Sequence, residues 1–267
     1  MNTKRIPPLI ATCMLMLAIL ACKLGGTPGS STTPTPEAPA TEPPVTMTPA
    51  TGSSETTGAC NNPYLPVVVG ATWNYNLTGP VPGTFTRSIL SMDTGGFNDQ
   101  DVFGTGITRQ GKWTCDNGAL TALDPTGGSN TASVNSENIQ ADFQTTSASG
   151  VTLPAVLNPG DTWTQAVTLE GTELIHGIQV PAKNEFSNPC KVIGTESITV
   201  AAGTFNAVHI DCTTDMKITI TMNNTPIVAP VHFTASSWYA EHVGLIKTTT
   251  TGGNLDSTIE LVSYNIP

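Results

Sequence analysis

The sequence predicts a mainly β protein, an antiparallel curved sheet or half-barrel, barrel-like and with long bent hairpins, and three observations carry that reading. The 267 residues include 25 Gly and 21 Pro but only 11% charged residues, with Thr, Ser and Asn abundant, a composition that favours strands and turns over a helical bundle. Runs such as ATWNYNL, TFTRSIL, DTWTQAVTL and STIELVSYN recur between turn signals, and no stretch has the period of an amphipathic helix. The third observation is one long alternation. Val208, Ile210, Cys212, Thr214, Met216, Ile218, Ile220 and Met222 fall on one face, against His209, Asp211, Thr213, Asp215, Lys217, Thr219 and Thr221 on the other. Strands usually stop near ten residues, so a strand of roughly 19 from Thr204 to Met222 must bend, bulge or follow a curved sheet.

The chain opens on an export pattern. Lys4 and Arg5 precede an uncharged apolar run from Leu9 to Ala21, too short to span a bilayer that needs about 20 apolar residues. Residues 1–21 are therefore expected to be a signal peptide. Ile19-Leu20-Ala21-Cys22 resembles the lipobox of bacterial lipoproteins, with Leu20 where Ala, Ser or Thr is more usual, and implies acylation of Cys22. Two or more acyl chains, at about 0.8 kcal/mol per buried methylene, hold a protein to the lipid bilayer without a spanning helix. Residues 22–59 would then join the lipidated Cys to the domain through a disordered linker rich in Pro, Thr and Ser, which lacks the apolar side chains a core needs. Fully extended, it reaches up to ~100 Å.

The domain begins near Cys60 and runs to residue 267. Gly203 follows a strand pattern and precedes the long alternation, so a three-residue loop Ala201-Ala202-Gly203 is expected to close a hairpin over residues 191–222. LPVVVGATW (65–73) and LPAVLNPGDTW (153–163) share Leu-Pro and Gly-x-Thr-Trp, and Trp113 and Trp238 recur later. That spacing suggests two similar halves, about 60–150 and 151–267.

Three stretches, NPYLPVVVGATWNY, GTESITVAAGTFNAVHI and SSWYAEHVGLIKTTT, resemble in order the motifs of the TapB-like family of secreted bacterial domains. The resemblance spans most of residues 62–264, with Ala201 in place of the usual Pro and His242 where Gly is common. It implies a β-rich extracytoplasmic domain akin to curved-sheet lipid carriers and brings no established catalytic residues.

With Cys13 in the signal and Cys22 at the anchor, Cys60, Cys115, Cys190 and Cys212 remain, an even number that implies disulfides outside the cytoplasm. Three pairings are possible. Pairing Val200 with Thr204 places Cys212 two residues from the position opposite Cys190, so Cys190–Cys212 is the first choice and Cys60–Cys115 the remainder. No close Cys or His pair of zinc spacing occurs, so no metal is expected.

Ten Lys+Arg against twenty Asp+Glu leave a net charge of -10, which repels phosphate backbones and speaks against nucleic acid as a partner. Motifs for serine hydrolases, nucleotide loops and zinc proteases are absent, and no cofactor is expected. His176, His209, His232 and His242 are scattered; His209 and Asp211 share a face, most simply as a solvated polar surface. The loop Asp93–Asp101 gathers Asp93, Asn98, Asp99 and Asp101 without the EF-hand spacing and reads as an acidic turn.

The reading is a membrane-tethered surface lipoprotein of the cell envelope. Its non-catalytic domain binds or scaffolds an unknown extracellular ligand or surface protein. One alternative is a carrier whose groove is lined by Met92, Met216 and Met222. The other is a hydrolase using Asp99 and Asp101.

Overall fold

A computed structural model describes residues 58–123, 140–175, 178–253 and 255–267. The signal segment, Cys22, His176 and nearly all of the linker lie outside the described residues. Twelve strands follow in chain order. They are β1 (Thr72–Thr78), β2 (Gly83–Met92), β3 (Gly96–Phe103), β4 (Thr108–Asp116), β5 (Ala119–Ala122) and β6 (Gln140–Ser149), then β7 (Thr162–Ile175), β8 (Ile178–Val200), β9 (Gly203–Met222), β10 (Thr225–Ala240), β11 (Gly244–Thr251) and β12 (Ser257–Asn265). Among the described residues there is no helix.

All twelve strands form one antiparallel sheet in the order β5-β4-β3-β2-β1-β12-β11-β10-β9-β8-β7-β6. Chain neighbours pair as hairpins, and the first and last strands pair with each other, Trp73 opposite Tyr264. The ladder stays open between β5 and β6, as a half-barrel reading requires. There the segment after β6 approaches β5: Leu120 bridges Leu153, and the Gln165 amide on β7 donates to the Ala122 carbonyl at 2.9 Å.

Alternation decides which face is buried. On β1, Trp73, Tyr75 and Leu77 are buried while Asn74, Asn76 and Thr78 are exposed. Phe85 and Ile89 on β2, Phe97 and Phe103 on β3, Ile246 on β11 and Leu261 on β12 join the same core. Burying such a side chain contributes about 1.5–3 kcal/mol. Tyr75 and Phe85 stack at 5.0 Å. Trp73 donates from Nε1 to the Val243 carbonyl at 2.6 Å, tying β1 to the β10–β11 turn.

The long alternation forms β9, 20 residues from Gly203 to Met222. Its partner β8 is longer still, at 23 residues. The turn between them differs from the expected loop in one respect. Gly203 takes φ +137 and already pairs with Val200, so Ala201 and Ala202 alone form the turn. A bulge between Val192 and Gly194 absorbs one more residue, and this brings Cys190 opposite Cys212. Pro181 and Pro189 explain how so long a strand is tolerated. The β8–β9 pairs run from Ala182 to Ser187 and resume at Cys190, so both prolines stand where no β9 partner is paired.

Six strands fall in residues 60–150 and six in 151–267. Trp73 and Trp163 are each the second residue of the first strand in their stretch, and Trp113 and Trp238 lie on the fourth. Strand length separates the two stretches: β1–β6 hold 4 to 10 residues, whereas β7–β10 hold 14, 23, 20 and 16.

Candidate functional site

Three arrangements of side chains stand out on the sheet. The first lies inside the sheet on β2–β4. Register places Arg87 opposite Asp101 and Asp101 opposite Arg109, with Asp99 one row along, opposite Ile89 and Gly111. Arg87 donates from Nε and Nη2 to the two Asp101 oxygens at 2.8 and 2.9 Å. Arg109 donates to Asp101 at 3.1 Å and to Asp99 at 2.9 Å. Burial pushes the Asp101 carboxyl up, but the Arg87 and Arg109 guanidinium groups more than reverse this and hold it at about 2, below the ordinary 3.8. Burial disfavours the Arg87 cation, yet Asp101 and then Asp99 hold its pKa above the ordinary value. Gly111 makes room, since a Cβ there would lie 2.2 Å from both Arg109 Nη1 and Asp99 Oδ1.

This quartet corrects two sequence expectations. Asp99 and Asp101 are 1% and 0% exposed, so neither carboxylate is open to a substrate as a hydrolytic pair requires. Nor do they belong to an acidic turn: both lie on β3 facing inward, Asn98 before them faces out, Gln100 between them is half-buried, and only Asp93 serves the turn, accepting from Gly95 N–H at 2.8 Å.

The second arrangement lies on the outer face. His209 places Nδ1 3.1 Å from Glu196 Oε1 and Nε2 2.9 Å from Asp211 Oδ1, and its ring stacks on Trp238 at 4.5 Å. Ser236 donates to Asp211 at 2.6 Å and Trp238 to Glu196 at 2.6 Å. His209 and Asp211 thus pair directly, where the sequence suggested a loosely solvated surface. The serine binds the carboxylate and not the imidazole, so the order of a nucleophilic triad is missing. His232 pairs with Asp215 at 2.7 Å, and His242 sits in the β10–β11 turn at φ +61. Among the described residues no three His, Cys, Asp or Glu side chains are grouped to hold a metal ion.

The third arrangement is a groove on the inner face of β7–β10. Ile259 pairs with Thr248, Thr248 with Ser237 and Ser237 with Ile210, which carries the core face of β12 across to β9. One row runs Trp163, Cys190, Cys212 and Ala235 from β7 to β10. A cavity of about 200 Å³ opens there, walled by Trp163, Val167, Phe186, Ile210, Phe233 and Tyr239. Its polar lining is Thr152, Gln165, Asn188, Thr214 and Ser237, and no lining residue carries a charge. Thr214 donates to Asn188 Oδ1 at 2.8 Å. Two polar atoms on this face have no partner: Trp163 Nε1, and Oδ1 of Asn184, a buried side chain between Leu169 and Ile218.

The disulfides frame both regions. Cys190–Cys212 joins β8 to β9 beside Pro189, with Cα atoms 4.1 Å apart, and Cys60–Cys115 staples the start of the domain to β4. None of the three methionines expected in a groove walls this cavity: Met216 on the inner face of β9 and Met222 at its end are half-buried beyond it, and Met92 ends β2 at 48% exposure. Phe186, Asn188 and Gln165 were not singled out from sequence. Their signal was available: Val180, Ala182, Asn184, Phe186, Asn188, Cys190 and Val192 alternate along β8, but two asparagines and two prolines mask the hydrophobic period.

The DUF3108-like family model matches residues 107–261. No curated protein matches the chain in sequence. Three solved structures are similar. A lipoprotein so described from Parabacteroides distasonis shares 14% identity, with a TM-score of 0.52 over 76% of this chain and 99% of its own. A protein from Bacteroides fragilis, described as exported and of YmcC-like fold, has 14% identity, the same coverage and a TM-score of 0.48. The lipoprotein YmcC of Escherichia coli has 9% identity and a TM-score of 0.33 over 79% of this chain and 89% of its own.

Proposed function

The chain belongs to the DUF3108-like family, and we propose that it is a non-catalytic extracytoplasmic lipoprotein, tethered to a membrane through acylated Cys22, whose β7–β10 groove holds a hydrophobic ligand. The observation that carries this reading is the uncharged cavity walled by four large side chains, Trp163, Phe186, Ile210 and Phe233, with a few amides and hydroxyls among them; the opening of similar volume beside Leu77, Phe103 and Ile107 lacks such amides. Ligand sites are concave and mostly apolar, with a few placed polar groups, and this lining has that composition. The lipobox-like Ile19–Cys22 and the paired cysteines support a location outside the cytoplasm, as does the resemblance of three motifs to secreted TapB-like domains.

The test is titration of the chain with N-phenyl-1-naphthylamine, an uncharged apolar fluorophore. Saturable enhancement, lost when Ala235→Trp fills the cavity, is the expected result. Enhancement that is absent, or unchanged in the Ala235→Trp chain, overturns the groove reading. Retention of full affinity by a scaffold-type protein partner in that same variant would favour a docking role for the outer face.

A further inference from the structure

The end of the β9–β10 hairpin is untouched by the groove. From Ile218 to Val231 the chain carries no charged side chain, and β8 beside it carries none from Ile178 to Ala182. The hairpin closes on Asn223 and Asn224, both left-handed at φ 51 and 61, a two-residue turn that leaves the strands paired to their last residue. Ile227 and Val228 are 45% and 51% exposed, and Ile178 is 60% exposed. Consecutive strand residues point to opposite sides of a sheet, so Ile227 and Val228 make both faces of the tip apolar.

On β8–β10 charge begins below, while Glu173 on β7 is level with the tip and half-buried, and burial raises its carboxyl pKa. Lys217 meets Glu185 at 2.9 Å, Lys183 reaches Glu170 at 3.4 Å and Glu185 at 3.7 Å, and Asp215 pairs with His232 at 2.7 Å. Glu173, on β7 opposite Val180, flanks the patch. Five residues separate Lys217 from the turn, roughly 17 Å of strand.

The backbone suits the same environment. β10 pairs with β11 only from Thr234 onward, so Thr225–Phe233 form an edge. Pro226 and Pro230 stand on that edge, and proline has no N–H to leave unpaired.

We propose that the end of this hairpin dips into a lipid bilayer, with the Lys, Glu, Asp and His belt at the level of the headgroups. A protein partner would cover one face of the tip. Lipid surrounds both faces of the tip, and the carbonyls left unpaired on the β10 edge keep it at the depth where interfacial water still reaches them. The proposal stands apart from the groove reading and holds whether or not the cavity carries a ligand.

The test uses the full chain with an environment-sensitive dansyl amino acid in place of Val228 or, as the comparison, of exposed Asn206 near the other end of β9. Each is mixed with phosphatidylcholine vesicles whose acyl chains bear nitroxides. Emission from position 228 should shift to the blue and fall severalfold with nitroxide lipid, position 206 should do neither, and Ile227→Glu should abolish the effect with an unchanged circular dichroism spectrum. Equal behaviour of the two positions, no response at 228, or an unaltered response in the Ile227→Glu chain would overturn the proposal. Protection of position 228 by a protein in place of vesicles would do the same.

Discussion

The inner faces of β1–β4 and of β7–β10 follow the same alternation and end in opposite states. On β1–β4 the rows hold Trp73, Tyr75, Phe85, Phe97 and Phe103, and the charged residues among them meet in register, so each buried guanidinium has a carboxylate within 3.1 Å. On β7–β10 the polar residues are Gln165, Asn184, Asn188 and Thr214, none charged, and Trp163 keeps an unpaired Nε1 at the cavity wall; both halves hold unpaired buried atoms, Asp99 Oδ1 and Arg109 Nη1 in the first and Asn184 Oδ1 in the second. The difference teaches what fills a curved sheet. Aromatic side chains and a set of two arginines and two aspartates fill the middle of one half and leave an opening only at its end, beside Leu77, Phe103 and Ile107, while the longer strands of the other half leave space across their middle. The quartet orders the first half, and the cavity across the middle of the second is where the proposed ligand fits.

The comparison can be broken from the closed side. Asp101→Ala leaves Asp99 as the one carboxylate beside buried Arg109 and half-buried Arg87 and should cost about 3–5 kcal/mol, the usual penalty for leaving a buried charge uncompensated. Urea unfolding of the variant reads it. A loss under about 1 kcal/mol would show that the quartet is not what closes this half.

Acid provides the next largest effect, and its sign is fixed. Asp101 has a folded-state pKa depressed to about 2 from 3.8, so its contribution is fully present above pH ~4 and is lost as pH falls through ~2. The shift corresponds to roughly 2 kcal/mol. Stability measured between pH 5 and 2 should fall in wild type and stay flatter in Asp101→Asn.

The open side gives the smallest change and the opposite sign. Asn184 is buried between Leu169 and Ile218 with Oδ1 unpaired, so Asn184→Leu should stabilise the chain by about 1 kcal/mol, since an unpaired buried amide costs that much or more. Thermal unfolding would show the rise. A destabilised variant would mean that Asn184 is satisfied in solution by a group this structure does not hold.

Strand content was legible because alternation is local. Residues 204–222 announce β9 from side-chain type alone, and the even cysteine count announces bonding. The quartet was illegible for the opposite reason: Arg87 and Arg109 lie 14 and 8 residues from Asp101, and no window of sequence aligns them until the turns of β2–β3 and β3–β4 set the register. The acidic residues around Asp99 therefore read as a turn or a catalytic pair. The groove was hidden by Asn184 and Asn188, which occupy inward positions that an apolar count passes over. A hairpin register one residue off was recoverable only through the positive φ of Gly203 and the Val192–Gly194 bulge.

The most direct test of the β7–β10 cavity as a ligand site is native mass spectrometry with lipid extraction, on the chain secreted from an oxidising host. The expected spectrum shows a mass four hydrogens below the reduced chain, for two disulfides, with an uncharged hydrophobic species bound at one per chain and absent from the Ala235→Trp variant. A bare protein mass that takes up no neutral lipid on addition, in wild type and variant alike, would contradict the account.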